Sequence, residues 1–225
     1  MKRIIILIVT TLFFISSCDV PVDHDWYERE DWSYAATNHG SGIKMLTDWF
    51  AESEASGNKK KFVLRTNDRK YLMPGGYTAY KITDKTNVSS VTAEVSRQSG
   101  NSIFGYGIVF AMRKKDNSEY MLSVMINTQR MYTVGKFAEG NYITIKDWTP
   151  TDCLRGGYGI TNKISVSVAS DKSIRVSLND VAVYTFKDTP YGTAPALSTG
   201  AHGFVTVISE VENFPESFVE VTFIE

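Results

Sequence analysis

Carboxylates at alternate positions of a strand project to the same side, and a pair about 5–5.5 Å apart is what retaining hydrolysis of a glycosidic bond requires. The chain offers this spacing at Glu28-Arg29-Glu30 and at Glu210-Val211-Glu212. The first falls in an irregular N-terminal stretch, and the second precedes Asn213-Phe214-Pro215, which reads as a loop. Neither reads as a catalytic strand. His24, His39 and His202 stand far apart without ligand spacing, so no zinc site is indicated. Asp23-His24-Asp25 and Asp116-Asn117 carry oxygen ligands, but calcium wants about six to eight of them, and hairpin turns use the same residue types. No metal and no cofactor is expected. A G-x-S-x-G elbow and a phosphate-cradling glycine loop are also missing.

The two cysteines, Cys18 and Cys153, divide between an address and a core. Lys2-Arg3, an apolar run from Ile4 to Phe14, and Ile15-Ser16-Ser17-Cys18 together resemble the lipobox signal of bacterial lipoproteins. The apolar run is about eleven residues, against the roughly 20 that a membrane-spanning helix needs. The resemblance implies cleavage before Cys18, a diacylglycerol on its thiol and an acyl chain such as palmitate on its amino group. Two or three chains hold a protein to a membrane, each buried CH₂ contributing about 0.8 kcal/mol. The expected location is the bacterial cell envelope, on the outer membrane or the periplasmic face. Asp19 resembles the inner-membrane retention signal of some Gram-negative sorting systems. The alternative is an ordinary secretory signal cut elsewhere near Cys18. With Cys18 acylated, Cys153 has no partner for a disulfide. No histidine or basic cluster surrounds it to lower its pKa, so it reads as a packing residue.

Composition narrows the partners. From Cys18 the chain has 208 residues, enough for one sizeable β-domain. Without Lys2 and Arg3 the net charge is about −3, which argues against nucleic acid. Lys59-Lys60-Lys61 and Arg113-Lys114-Lys115 sit beside turn residues and read as solvated strand ends.

The elements that must position any site read as short strands from about Val88 onward, broken by Gly, Asn, Asp and Pro clusters. Ile164, Val166 and Val168 alternate with small polar residues, as do Ile174, Val176 and Leu178, and Asn179-Asp180 makes a two-residue hairpin into Val181. Residues 106–112 and 120–126 are apolar on both faces, the mark of central strands covered on each side or of strands lining a concave surface. Residues 131–137 and 142–146 continue the meander, and 219–223 form the last strand. Lys61–Arg65 and Tyr71–Met73 read as edge strands, and 43–50 as a strand or a short helix. The division is a signal peptide over 1–17, a lipid-anchored tether and irregular segment over 18–40, and one β-sandwich over 41–225.

Gly105-Tyr106-Gly107-Ile108-Val109-Phe110, Glu119 to Val124, Tyr132-Thr133-Val134-Gly135-Lys136, Asp147-Trp148-Thr149-Pro150 and the hairpin 174–183 together resemble the concanavalin A-like, laminin-G-like jelly-roll modules of bacterial exported proteins. The resemblance covers residues 60–225 and implies an all-β, two-sheet antiparallel β-sandwich. That fold hosts lectins, glycan hydrolases and adhesion modules, and it does not choose among them. Its hydrolases carry an E-x-D-x-x-E strand, which this sequence lacks, so no enzyme activity is expected. Sugar binding needs only aromatic faces and a few polar groups. Trp26, Tyr27, Trp32, Tyr34 and Trp49 are candidates in the N-terminal part, with Tyr191 and His202 in later loops, while Trp148 reads as core. The expectation is a non-catalytic, envelope-anchored binding module for glycans, or a structural or adhesive protein that binds another envelope protein, with a glycoside hydrolase as the least favoured alternative.

Overall fold

The computed structural model describes residues 32–35, 49–55, 59–67, 77–82, 87–115, 118–138 and 141–225. Among the described residues fourteen strands follow one another: β1 (Trp32–Ala35), β2 (Trp49–Ala55), β3 (Lys59–Thr66), β4 (Tyr77–Ile82), β5 (Ser90–Ser99), β6 (Tyr106–Lys115), β7 (Ser118–Ile126), β8 (Met131–Ala138), β9 (Asn141–Pro150), β10 (Asn162–Val168), β11 (Ile174–Leu178), β12 (Val181–Phe186), β13 (Ala201–Ile208) and β14 (Val219–Ile224). They make two seven-stranded antiparallel sheets, ordered β1-β4-β13-β6-β7-β8-β9 and β12-β11-β10-β5-β14-β3-β2. The chain is an all-β sandwich, as its alternating pattern requires.

Period two builds the core directly. Ile108, Leu122, Val124, Val134 and Phe204 of the first sheet meet Leu64, Val95, Ile164, Val176 and Phe223 of the second in one buried cluster. Phe204 stacks on Phe223 at 4.8 Å between ring centroids, within the range for a favourable aromatic pair. The hairpin at Asn179-Asp180 has φ of 46° and 70°, the doubly left-handed turn that asparagine and aspartate tolerate and that matches strand twist. Asp171 caps the preceding turn by accepting from Ser173 N at 2.9 Å.

One expectation changes. β3 is interior, because β14 and β2 flank it and its Phe62 and Leu64 are buried, so Lys61–Arg65 is not an edge strand. Within the irregular segment over 18–40, β1 pairs with β4 from Trp32↔Lys81 to Ala35↔Thr78. Cys18, Trp26, Tyr27, the carboxylates Glu28 and Glu30, Asp23-His24-Asp25, Asp116-Asn117 and Tyr71–Met73 lie outside the described residues.

Buried charges tie loops to this frame. Lys136, on the inner face of β8, donates to Asp188 Oδ2 at 2.8 Å, to the Thr189 carbonyl at 3.0 Å and to the Pro195 carbonyl at 2.8 Å. Asp188 in turn accepts from Leu197 N at 2.7 Å, so one buried pair fastens the loop between β12 and β13. At the other end of the sandwich, Arg97 donates to the carbonyls of Asn101, Phe104 and Val207 at 2.9, 2.6 and 3.0 Å. Burial pulls its guanidinium below the usual value, opposed by the nearby Glu212 carboxylate. Burial also pushes the phenol of Tyr106, whose ring lies 5.6 Å from the Arg97 guanidinium, up to about 12.

Candidate functional site: a groove on the outer face of the first sheet

The outer face of the first sheet is apolar as well, which is why its central strands carry hydrophobic residues at consecutive positions. Tyr80, Val109, Met121, Met125, Phe137 and Val205 form a second buried cluster there. This cluster fills the half of the face nearest the start of β7 and the end of β8. The other half is open and holds a groove of about 560 Å³, within the range of small-molecule sites.

Met125, Thr133 and Val207 lie along the floor, with Thr78 at one end and Thr144 and Trp148 at the other. From β4 to β9 the groove crosses six neighbouring strands, a span of about 24 Å at roughly 4.8 Å per strand. Trp148 is 37% exposed, so its indole combines a free face with a packed edge. That edge reaches the start of β6. A Cβ on Gly105 would stand 3.2 Å from Cη2 of Trp148 and 3.0 Å from Met125 Sδ, so a side chain there would crowd the indole.

The loop between β5 and β6, with Ile103 and Phe104, forms one wall. It is fixed from below by Arg97 and from the side by the turn between β7 and β8. Asn127 donates to the Ile103 carbonyl at 3.2 Å while its Oδ1 accepts from Gln129 N and Met131 N, both at 3.0 Å. Thr128 donates to the Ser102 carbonyl at 3.0 Å. Glu212 Oε1 accepts from Asn101 N at 2.7 Å. The wall is thus preorganised by buried polar contacts.

Bulges decide which side chains of β9 face the groove. The pairing of β8 with β9 shifts register on both sides of Val134, adding residues to β9. Thr144 and Trp148 line the groove, whereas Lys146 turns to the other side and lies 5.8 Å from the ring of Tyr184 in the opposite sheet. Thr133 donates to the Lys146 carbonyl at 2.7 Å across the bulge. Tyr142 lies over the backbone of Gly135, its phenol pKa raised by burial, a rise only partly offset by the nearby Thr133 and Ser123 hydroxyls.

At the far end of the same face, the Tyr80 hydroxyl donates to Glu119 Oε2, and burial raises the Glu119 carboxyl above its usual value. Among the described residues no three metal-ligating side chains converge. A second depression, of about 600 Å³ between Glu94, Arg155, Lys163 and Asp180, is more open and polar, and Lys163 and Asp180 pair within it at 2.5 Å. It lacks an apolar floor on which a ligand could be desolvated.

The structure separates the aromatic candidates. Trp32 and Tyr34 lie in β1, on the edge of the sheet that carries the groove, and Trp49 lies in β2, on the edge of the opposite sheet. Tyr191 is exposed on the loop tied to Lys136, at the opposite end of β7 and β8 from the groove. His202 is not in a loop: it is buried in β13 with Nε2 3.0 Å from Glu225 Oε1. Glu212 serves Asn101, as above. Trp148, read from sequence as core, is the half-open aromatic of the groove. Alternation gave no usable signal for it, because the bulges of β9 break the register between Thr144 and Trp148.

No family model matches this sequence, and no curated protein does. Among solved structures, a glycoside hydrolase family 16 endo-glucanase from Bacteroides ovatus in complex with G4G3G-2F-DNP is 8% identical, with 86% of this chain and 93% of that one covered at a TM-score of 0.53. A laminarinase from Flavobacterium sp. UMI-01 is 12% identical, with 86% and 92% covered at 0.47. The carbohydrate-binding module CBM66 from Bacillus subtilis is 13% identical, with 78% and 96% covered at 0.42. At these identities the likeness is one of fold, the concanavalin A-like jelly roll. The expectation that the chain is not an enzyme is corrected, because the endo-glucanase that shares its fold is a glycoside hydrolase. That expectation rested on a missing linear motif, and folding can assemble carboxylates that no single strand carries.

Proposed function

We propose that this chain is an exported protein, anchored in the bacterial envelope through a lipid on Cys18, whose groove binds a segment of a glycan. The exposed indole of Trp148 at the mouth of an apolar groove carries this reading. A pyranose presents an apolar ring face and a rim of hydroxyls. The indole stacks on such a face, and Thr144, Gln129 and backbone groups of the fixed wall supply polar contacts. A groove of about 24 Å fits a run of sugar rings rather than one. The endo-glucanase of similar fold, solved in complex with G4G3G-2F-DNP, lends the fold a precedent for such a ligand.

The test is binding of the full chain, solubilised in detergent, to an array of linear oligosaccharides and to polysaccharides in affinity gels. Retention by at least one glycan, weakened tenfold or more in Trp148→Ala (about 1.4 kcal/mol), is the expected outcome. Reducing-end release in the same mixtures distinguishes turnover from retention. Binding to no glycan, or binding indifferent to Trp148, would overturn the proposal.

A further inference from the structure

We infer that the groove takes an uncharged stretch of glycan and rejects one bearing carboxylate or sulfate groups. This rests on the glycan reading above and specifies its ligand. Among the described residues, every side chain lining the groove is neutral: its polar members are threonines, Asn127, Gln129 and Tyr142. An anion held there would leave water without a cation to receive it, and unpaired buried charge is costly.

Among the described side chains, four basic ones in or beside the strands and turns that build the groove are turned elsewhere. Arg97 lies beneath the wall, donating to three carbonyls. Arg130, in the turn between β7 and β8, donates to the Leu154 carbonyl at 3.1 Å and pairs with Asp152. Lys136 faces the core and Asp188. Lys146, on the strand that carries Trp148, is sent by the bulge to the opposite sheet. The bulge matters most here, since regular alternation from Thr144 would place Lys146 on the groove face between Thr144 and Trp148.

Neutral hydroxyls, by contrast, find suitable partners. Thr144 is exposed on the groove and Gln129 is exposed at its rim, both able to donate and accept. An apolar floor with a few neutral polar groups discriminates by what it fails to solvate.

The experiment uses the full chain in detergent and calorimetric titration with neutral linear hexasaccharides of glucan, mannan, galactan and xylan type, each beside a uronate- or sulfate-bearing counterpart. A neutral oligosaccharide bound at least tenfold more tightly than its anionic counterpart is the expected result. Thr144→Lys places a cation on the groove and is expected to raise affinity for the anionic form tenfold or more, with an unchanged melting transition. Equal or tighter binding of the anionic form by the wild type would overturn this inference and leave the glycan reading standing. Binding of none would overturn both.

Discussion

The ring of Tyr142 lies directly across Gly135: a Cβ built on that glycine would fall 2.2 Å from Cζ of Tyr142 and 2.3 Å from its hydroxyl oxygen. No side chain coexists with the ring in that position. Tyr142 in turn packs on Phe137 at 5.0 Å between centroids, sealing the filled half of the outer face beside the groove. Gly135→Ala is therefore expected to expel the tyrosine and lower stability by about 1–3 kcal/mol, the usual cost of overpacking. Urea unfolding measures this directly, and a midpoint within error of wild type would show that Tyr142 has another place to go.

The pair Lys136 and Asp188 is nearly inaccessible, at 2% and 3% of side-chain surface. Lys136→Met is expected to cost about 3–5 kcal/mol, because it strands a buried carboxylate. Adding Asp188→Asn removes the stranded charge while retaining an acceptor for Leu197 N, and much of the loss should return. A double-mutant cycle gives the coupling, and a value below about 0.5 kcal/mol would mean that the two residues act independently.

Glu119 gives a pH signature. Burial raises its folded pKa above the unfolded value, so its carboxyl keeps its proton longer in the folded state. Stability from that proton is complete below the unfolded pKa and is lost as pH rises through the folded one. Glu119→Gln keeps an acceptor for the Tyr80 hydroxyl and cannot ionise. Wild type and variant should match in acid, with the variant becoming the more stable as pH climbs above the ordinary carboxylate range. Parallel curves from acid to neutral pH would refute the assignment.

The anchor is tested at one atom. Cells fed labelled palmitate should transfer label to the wild type and not to Cys18→Ser, and the wild type should partition with membranes where the variant does not. Label in the variant, or membrane association that survives the substitution, would remove Cys18 from the proposal. Surface proteolysis of intact cells then reports the leaflet.

Much of the fold was legible along the chain because its physics is local. Alternation at Ile164–Val168 and Ile174–Leu178 fixes which face is buried, and Asn179-Asp180 supplies the left-handed backbone that a two-residue hairpin needs. Double-sided hydrophobicity in β6 and β7 announced central strands, which bury one face in the core and carry on the other a second cluster beside the groove. The candidate site was far less legible. Trp148 and Lys146 share a parity in sequence, yet extra residues in β9 opposite Val134 send one to the groove and the other to the opposite sheet. Glu212, spaced from Glu210 as a catalytic pair would be, is spent on Asn101 and the charge of Arg97. By itself the sequence determined the class, two antiparallel sheets around an alternating core, because period two acts over neighbouring residues. Only the tertiary structure decided where a ligand could lie, because bulges, buried ion pairs and a tyrosine crossing a glycine join residues that no local pattern connects.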